Sequence, residues 1–239
     1  TPSDFGLQGS PPTHPDLLDW LAQDFIANGW SIKHLVRQIV SSRTWQQRSD
    51  TRAAAEAIDP ENKLLWRGHR RHLSIEALRD SLLFTSGLLD PRMQGRPGQL
   101  WGKDYSRRRS IYGYVNRFNL DPTLRAFDFP SAMQSAAQRG ESIVAPQALF
   151  TLNSPFVVDQ SIAITESDDF KQCQTDEARA NHLFARVFQR EPTNGERLRS
   201  VRFVAQQQRF YNDPAKRIRS PWPLVAQAMY MSNEFQYVD

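Results

Sequence analysis

The chain has 239 residues, of which 39% are apolar and 23% charged. That balance describes a globular protein rather than a disordered one, and no run of about 18 apolar residues is present to cross a membrane. A net charge of +4 and a pI near 9.4 leave an anionic partner open. A single cysteine, Cys173, excludes an intramolecular disulfide, a cysteine-based zinc site and a Cys-X-X-Cys-His haem attachment.

The length holds one large domain or two small ones. The chain opens at Thr1 without a charged-then-apolar leader, as expected of a mature form or a fragment of a longer protein. The basic residues comprise 25 Arg and 5 Lys. Arginine makes two-pronged bonds to carboxylates and phosphates and stacks on aromatic rings. Because 26 acidic residues nearly balance the 30 basic ones and both are spread along the chain, internal pairing is favoured over an anionic partner.

Thr1 to Pro12 is rich in proline and glycine and is expected to be irregular. Thr13-His14-Pro15 opens a helix that carries Leu17, Leu18, Leu21, Phe25 and Ile26 and stops at Gly29. Ser31 caps the next helix, whose apolar stripe is Ile32, Leu35, Val36, Ile39 and Val40. The short link predicts an antiparallel hairpin. Ser41 to Ile58 is weakly patterned, with Trp45 expected to anchor it to the core. Asp59-Pro60 reads as another helix start, with Leu64, Leu65 and Trp66 as apolar positions.

Ser74 caps a longer helix from Ile75 to about Leu89, with Ile75, Leu78, Leu82 and Leu83 inward and Glu76, Arg79 and Asp80 turned elsewhere. Asp90 to Ser106 is a Gly/Pro-rich loop. Ser110 to Val115 is the one strand-like run. Since one strand makes no sheet, a two-stranded ribbon is the most that is expected. The stretch Phe127 to Phe156 holds two proline helix starts, Ala145-Pro146 and Ser154-Pro155. It sets Asp128, Arg139, Gln147 and Asn153 among apolar neighbours. Such polar groups either line a cleft or satisfy backbone groups at the bends; the structural role is favoured.

Beyond Phe156 the helix continues, and Asp168 to Gln174 reads as a loop. Thr175 caps a helix with Leu183, Phe184, Val187 and Phe188 on its face. Thr193 with Glu196 fits a capping box, and a last helix starts at Pro221. The sum is a mainly α, single multi-helix domain with at most a short β-ribbon, its C-terminal helices packed as a bundle.

No motif fixes a reaction. His69 and His72 would share a helical face, but Arg67, Arg70 and Arg71 crowd them with positive charge, so no metal site is expected. Neither a Gly-X-Ser-X-Gly elbow nor a phosphate-binding loop is present. Arginines interleaved with aromatics, Arg107 to Arg109 with Tyr112 and Tyr114, give only a weak nucleic-acid signal.

An ordered set of short motifs carries a resemblance. It includes Thr1-Pro-Ser-Asp-Phe-Gly6, Pro12-Thr-His-Pro-Asp-Leu-Leu-Asp-Trp-Leu21, Gly29-Trp-Ser31, Arg71 with Leu73, Arg79-Asp80, Arg108-Arg-Ser-Ile-Tyr112, Phe127-Asp128, Pro146-Gln-Ala-Leu149 with Leu152-Asn153, Arg190-Glu-Pro192 and Ser232-Asn-Glu-Phe235. Nearly the whole chain resembles the planctomycete C-terminal domain of unknown function found in large proteins that also carry a cytochrome-c-like domain. The chain departs from that pattern at Gln94-Gly95-Arg96-Pro97, where Gly-Gly-Pro is usual. It departs again at Gln138-Arg139-Gly140-Glu141, where paired arginines before Thr are usual.

The resemblance implies part of an exported multidomain protein, periplasmic or at the cell surface. Its partners would be other domains of the same polypeptide. It implies no cofactor in this domain, with haem c confined to a neighbour. Three functions are carried forward: an accessory domain that contacts its neighbours or a polymeric or anionic ligand; a hydrolase acting on a polysaccharide-like substrate, with its cleft near Asp4, His14, Asp128 and Arg139; and, least favoured, an Arg-rich nucleic-acid binder. The candidate ligand-binding residues are Asp4, His14, Arg71, Arg108, Arg109, Tyr112, Asp128, Arg139, Gln147 and Asn153.

Overall fold

A computed structural model of the chain describes residues 6–136, 138–211 and 218–238. Over these the fold is mainly α, with twelve α-helices and one two-stranded ribbon. The chain divides into two compact units, Thr1–Arg71 and His72–Val238.

The first unit holds α1 (Pro15–Ala27), α2 (Ile32–Ser41) and α3 (Ala53–Ile58). Between α1 and α2 the backbone reverses through two left-handed residues, Gly29 at φ 68° and Trp30 at φ 60°. A left-handed tryptophan is unusual. Its ring is held edge-on against Phe25 at 5.3 Å, and its N–H donates to the Phe25 carbonyl. Ser31 caps α2 by accepting from the His34 N–H. His34 in turn meets the Asp24 carboxylate of α1 at 2.9 Å.

Asp59 does not start a helix, as expected from the sequence, but ends one. It follows α3, and its carboxylate accepts from the N–H groups of Lys63 and Leu64 at 3.0 and 2.7 Å. Asn62 and Leu65, both at φ 55°, then keep the chain in turns. Trp45 does not anchor a core: it is 61% exposed.

The second unit carries the core. It contains α4 (Ile75–Thr85), α5 (Pro122–Ala126), α6 (Ala145–Asn153), α7 (Pro155–Glu166), α8 (Asp168–Lys171), α9 (Asp176–Phe188), α10 (Asn194–Gln207), α11 (Trp222–Tyr230) and α12 (Asn233–Gln236). Ile75, Leu78, Leu82 and Leu83 of α4 pack in one cluster with Val157 and Ile164 of α7, Leu183 of α9 and Ala226 and Tyr230 of α11. Several buried polar groups pair with one another, as burial favours, whereas Trp101 Nε1 and Asn181 Oδ1 are buried without a hydrogen-bond partner. The Thr85 hydroxyl donates to the Tyr230 hydroxyl, Ser86 to Gln160, and Gln160 to the Tyr105 hydroxyl. The Gln227 amide bonds the last carbonyls of α6, at Thr151 and Leu152.

Three local expectations are corrected. The helix after Ser74 stops at Thr85, short of Leu89. Asp168–Lys171 is a helical turn capped by Ser167 rather than a loop. The strand expected at Ser110 is a 3-10 turn, Ser110–Tyr112, and the ribbon instead pairs β1 (Arg71–His72) with β2 (Tyr237–Val238). The physical cause of the last is a side chain thirty residues upstream, described next.

Candidate functional site

The longest irregular stretch of the second unit, from Asp90 to Tyr114, is organised from beneath by Arg79 and Asp80 of α4. Sequence reasoning turned Arg79 away from the core, yet it is 1% exposed. Its Nε donates to the Leu100 carbonyl at 3.2 Å, and its terminal nitrogens donate to the carbonyls of Ser106 and Arg108 and to Ser110 Oγ. The guanidinium also lies over the rings of Trp101 and Phe156. Burial lowers its pKa, opposed by the charge of Asp80. Arginine's five fixed donors suit this role, since one side chain ties three turns of a loop at once.

Asp80 completes the clamp. One of its oxygens accepts from both the N–H and the hydroxyl of Ser110 at 2.7 Å. This pulls Ser110 into a turn and overrides the strand propensity of the residues after it. Gly113 then passes so close to Leu100 that a Cβ there would collide with the leucine side chain.

Above the clamp lies an open cleft of about 1050 Å³, walled by the loop from Gly87 to Arg96 and by Tyr105 to Arg108. Arg108 donates to the carbonyls of Gln94 and Arg96, and its guanidinium stacks over Tyr112 at 4.6 Å. The candidate pair Arg108 and Tyr112 is therefore brought together. Arg109 turns the other way, its Nε 3.7 Å from Asp80.

A second cluster gathers three more candidates around the turn after α5. Asp128 sits at φ 54°, and its carboxylate accepts from the N–H and hydroxyl of Ser142, both at 2.7 Å. Those bonds lower its pKa, so it stays ionised. Arg139 donates to the Asp128 carbonyl at 2.9 Å, forms a two-pronged pair with Glu76 at 2.9 and 3.1 Å, and lies over Phe129. Gln147 is buried; its amide donates to the carbonyls of Ala126 and Ser142, and its oxygen accepts from the Val144 N–H. Asn153 is exposed at the end of α6 and takes no part in this cluster.

The remaining candidates belong to the first unit. His14 precedes α1 and bonds the neighbouring Thr13 hydroxyl. Arg71 is exposed, and Asp4 lies outside the described residues. Among the described residues no group of three or more His, Cys, Asp or Glu side chains could hold a metal ion. His69 and His72 lie in an extended segment, not on a helix. His72 bonds the Leu73 carbonyl and Gln236, and its ring meets Tyr237 edge-on.

The arrangement supplies anchoring rather than proton transfer. A general acid or base needs a pKa moved toward neutrality and a partner in reach. Asp128 is moved the other way, and the hydroxyl it holds, Ser142, meets no base in the bonds that fix this cluster. One ionic centre escaped sequence reasoning. Arg190 joins Glu196 of α10, at 2.8 Å, to Glu234 of α12, at 2.6 Å, and lies over Phe184 and Phe188. The signal available for it was the capping box, in which Glu196 accepts from the Thr193 N–H and hydroxyl. What the box could not show was the arginine behind it.

These features belong to a mainly α domain whose arginines brace its loops. Residues 1–204 match the family described as PSD1, Protein of unknown function (DUF1553), and the chain belongs to that family. No curated protein and no solved structure matches it.

Proposed function

We propose that this chain is an accessory, interaction domain of an exported multidomain protein that also carries a cytochrome-c-like module. Its direct partners would be the other domains of the same polypeptide, in the periplasm or at the cell surface, with any haem c held by a neighbour. The observation that carries this reading is the first unit's apolar surface. No residue of α1, α2 or α3 is buried. Leu17, Leu18, Trp20, Ile26, Trp30 and Ile32 are each 47–69% exposed. Scattered apolar residues on a surface need no explanation, but so many on one two-helix hairpin mark a surface that packs on another body.

The second support is negative for catalysis. Arg139, Asp128 and Gln147 are occupied by the chain's own groups. Nothing in their geometry favours the hydrolase reading over the accessory one. The weak nucleic-acid signal loses Tyr112, whose ring is covered by Arg108.

The test is carbene footprinting of the natural full-length polypeptide beside this chain alone. Labelling at Trp20, Trp30 and Ile32 is expected to fall several-fold in the full-length protein, while labelling at exposed Leu198 of α10 stays unchanged. Equal labelling of the hairpin in the two samples overturns the proposal. A pyridine haemochrome spectrum of the full-length protein tests the cytochrome association separately.

A further inference from the structure

We infer that the cleft above the Arg79 clamp binds an acidic oligosaccharide, a sugar chain bearing several carboxylate or sulfate groups. Four arginines line the cleft, Arg92, Arg96, Arg107 and Arg108, against one acid, Asp90. Asp90 is already held by Arg92, Nε at 2.8 Å and the terminal nitrogen at 2.6 Å. Four positive charges less that one leave three.

The three differ in how they are held. Arg108 is fixed by the carbonyls of Gln94 and Arg96. Both are neutral, so its charge is positioned without being cancelled. Among the described residues no ion pair engages the side chain of Arg96 or Arg107. A concave wall of one sign focuses its field and selects ligands with several opposite charges. The wall is also set in advance, because Arg79 and Asp80 pin the backbone from Leu100 to Ser110 beneath it. Little ordering entropy then opposes binding.

Size and lining choose the class of ligand. About 1050 Å³ is at the upper end of small-molecule sites and far exceeds a lone sulfate or phosphate, so a segment of an oligomer fits. Single-stranded nucleic acid would need free aromatic faces for its bases. Tyr105 instead packs edge-on against Phe156 and accepts from Gln160, and Arg108 covers Tyr112. A sugar polymer needs no such faces; guanidiniums engage its acids in two-pronged bonds. The inference uses residues of the second unit alone and does not rest on the reading above.

Calorimetric titration of the protein with dextran sulfate oligosaccharides, oligogalacturonate, neutral dextran and single-stranded DNA, at low and high salt, tests it. Binding of either acidic sugar, weakened by salt, with none by neutral dextran, is the expected result. Binding of one acidic sugar and not the other identifies the group recognised. The double variant Arg96→Ala/Arg107→Ala is expected to bind about tenfold more weakly, on the loss of two charge-assisted contacts. Arg199→Ala/Arg202→Ala, which removes the same charge from α10, should stay within about twofold of the parent. Thermal melting checks that both variants fold. Should the first melt early, Arg96→Gln alone carries the same comparison. The inference is overturned if neither acidic sugar binds, if both double variants weaken binding equally, or if DNA binds more tightly than the sugars.

Discussion

The two units of this chain are held by different chemistry. In the second, 22 hydrophobic residues among those described, from Ile75 to Phe235, are buried in one cluster. In the first, the buried positions among the described residues are Ser49, Asp59 and Asn62, and none is apolar. Its order comes from side-chain bonds to backbone: Asp59 to Lys63 and Leu64, Asn62 to Arg67, Trp66 Nε1 to the Asp59 carbonyl. Burial of apolar surface is the dominant favourable term in folding, and net hydrogen bonds contribute only about 1 kcal/mol each. A unit built mainly on the second kind, with Leu21, Phe25 and Leu35 only half-buried, is of marginal stability. The same helical spacing of leucines and isoleucines thus makes a core in α4 and an exposed apolar surface in α1 and α2. What separates them is the company available, not the pattern.

The sharpest break in that comparison would come from Arg79. It is buried like a core leucine yet bonds like the polar side chains of the first unit. Arg79→Ala orphans three carbonyls and removes one of the two arginines 3.7 Å from Asp80, so a loss of about 3–5 kcal/mol is expected. Urea denaturation followed by far-ultraviolet circular dichroism measures it. A loss below about 1 kcal/mol would mean that the loop is held by something else.

Next in size is a matched pair of truncations. Leu82→Ala in the core of the second unit should cost about 2–4 kcal/mol. Leu18→Ala, 55% exposed on α1, should cost under about 0.5 kcal/mol in this chain alone. The difference itself is the measurement. In the longer multidomain polypeptide proposed above, the Leu18 cost should rise toward that of Leu82; if it does not, the hairpin face is no interface.

A pH-dependent effect distinguishes the ionic centre of the second unit. Hydrogen bonding to Arg190 lowers the pKa of Glu196 from 4.5 to about 2. A depressed folded-state pKa stabilises above the unfolded value and stops doing so as protons bind. The contribution is therefore full above about pH 4.5 and is lost as pH falls toward 2. Because these side chains are partly exposed, Arg190→Ala is expected to cost about 1–2 kcal/mol at pH 7. The variant should also lose less stability than the parent between pH 5 and 3. Parallel pH curves for the two proteins would rule the network out as a source of acid sensitivity.

How much of this was legible in the sequence follows the range of the forces involved. Ser31, Ser74, Thr175 and Thr193 with Glu196 all cap as expected, because a cap and its target lie within one turn. Asp59 was misplaced by the same rule: an aspartate that ends one helix and closes a turn looks like one that begins another. Ser110 was misread because its partner, Asp80, is thirty residues away. Arg79 was sent to the surface because helical patterning assigns arginine outward, and only the tertiary return of Leu100, Ser106 and Arg108 shows otherwise. In the candidate site, the grouping of Asp128, Arg139 and Gln147 was visible as a polar run inside an apolar stretch. The partner that fixes Arg139, Glu76, was not.

The smallest effect offers the cleanest reading of how the units are coupled. Ser31 caps α2 and Ser74 caps α4 with the same geometry, each hydroxyl accepting at 3.3 Å from the N–H three residues on. Replacing either by alanine removes about 1 kcal/mol from its own helix. In a structure that unfolds as one cooperative body, both losses would lower the global midpoint equally. If the first unit opens on its own, as its lack of buried apolar residues implies, Ser74→Ala shifts the midpoint while Ser31→Ala does not. The loss at Ser31 would then surface only in local opening, as faster hydrogen exchange at the amides of α2 with the amides of α4 unchanged. Equal midpoint shifts for the two variants would show that the hairpin shares the core's stability without sharing its burial, and the contrast between the two units would have to be redrawn.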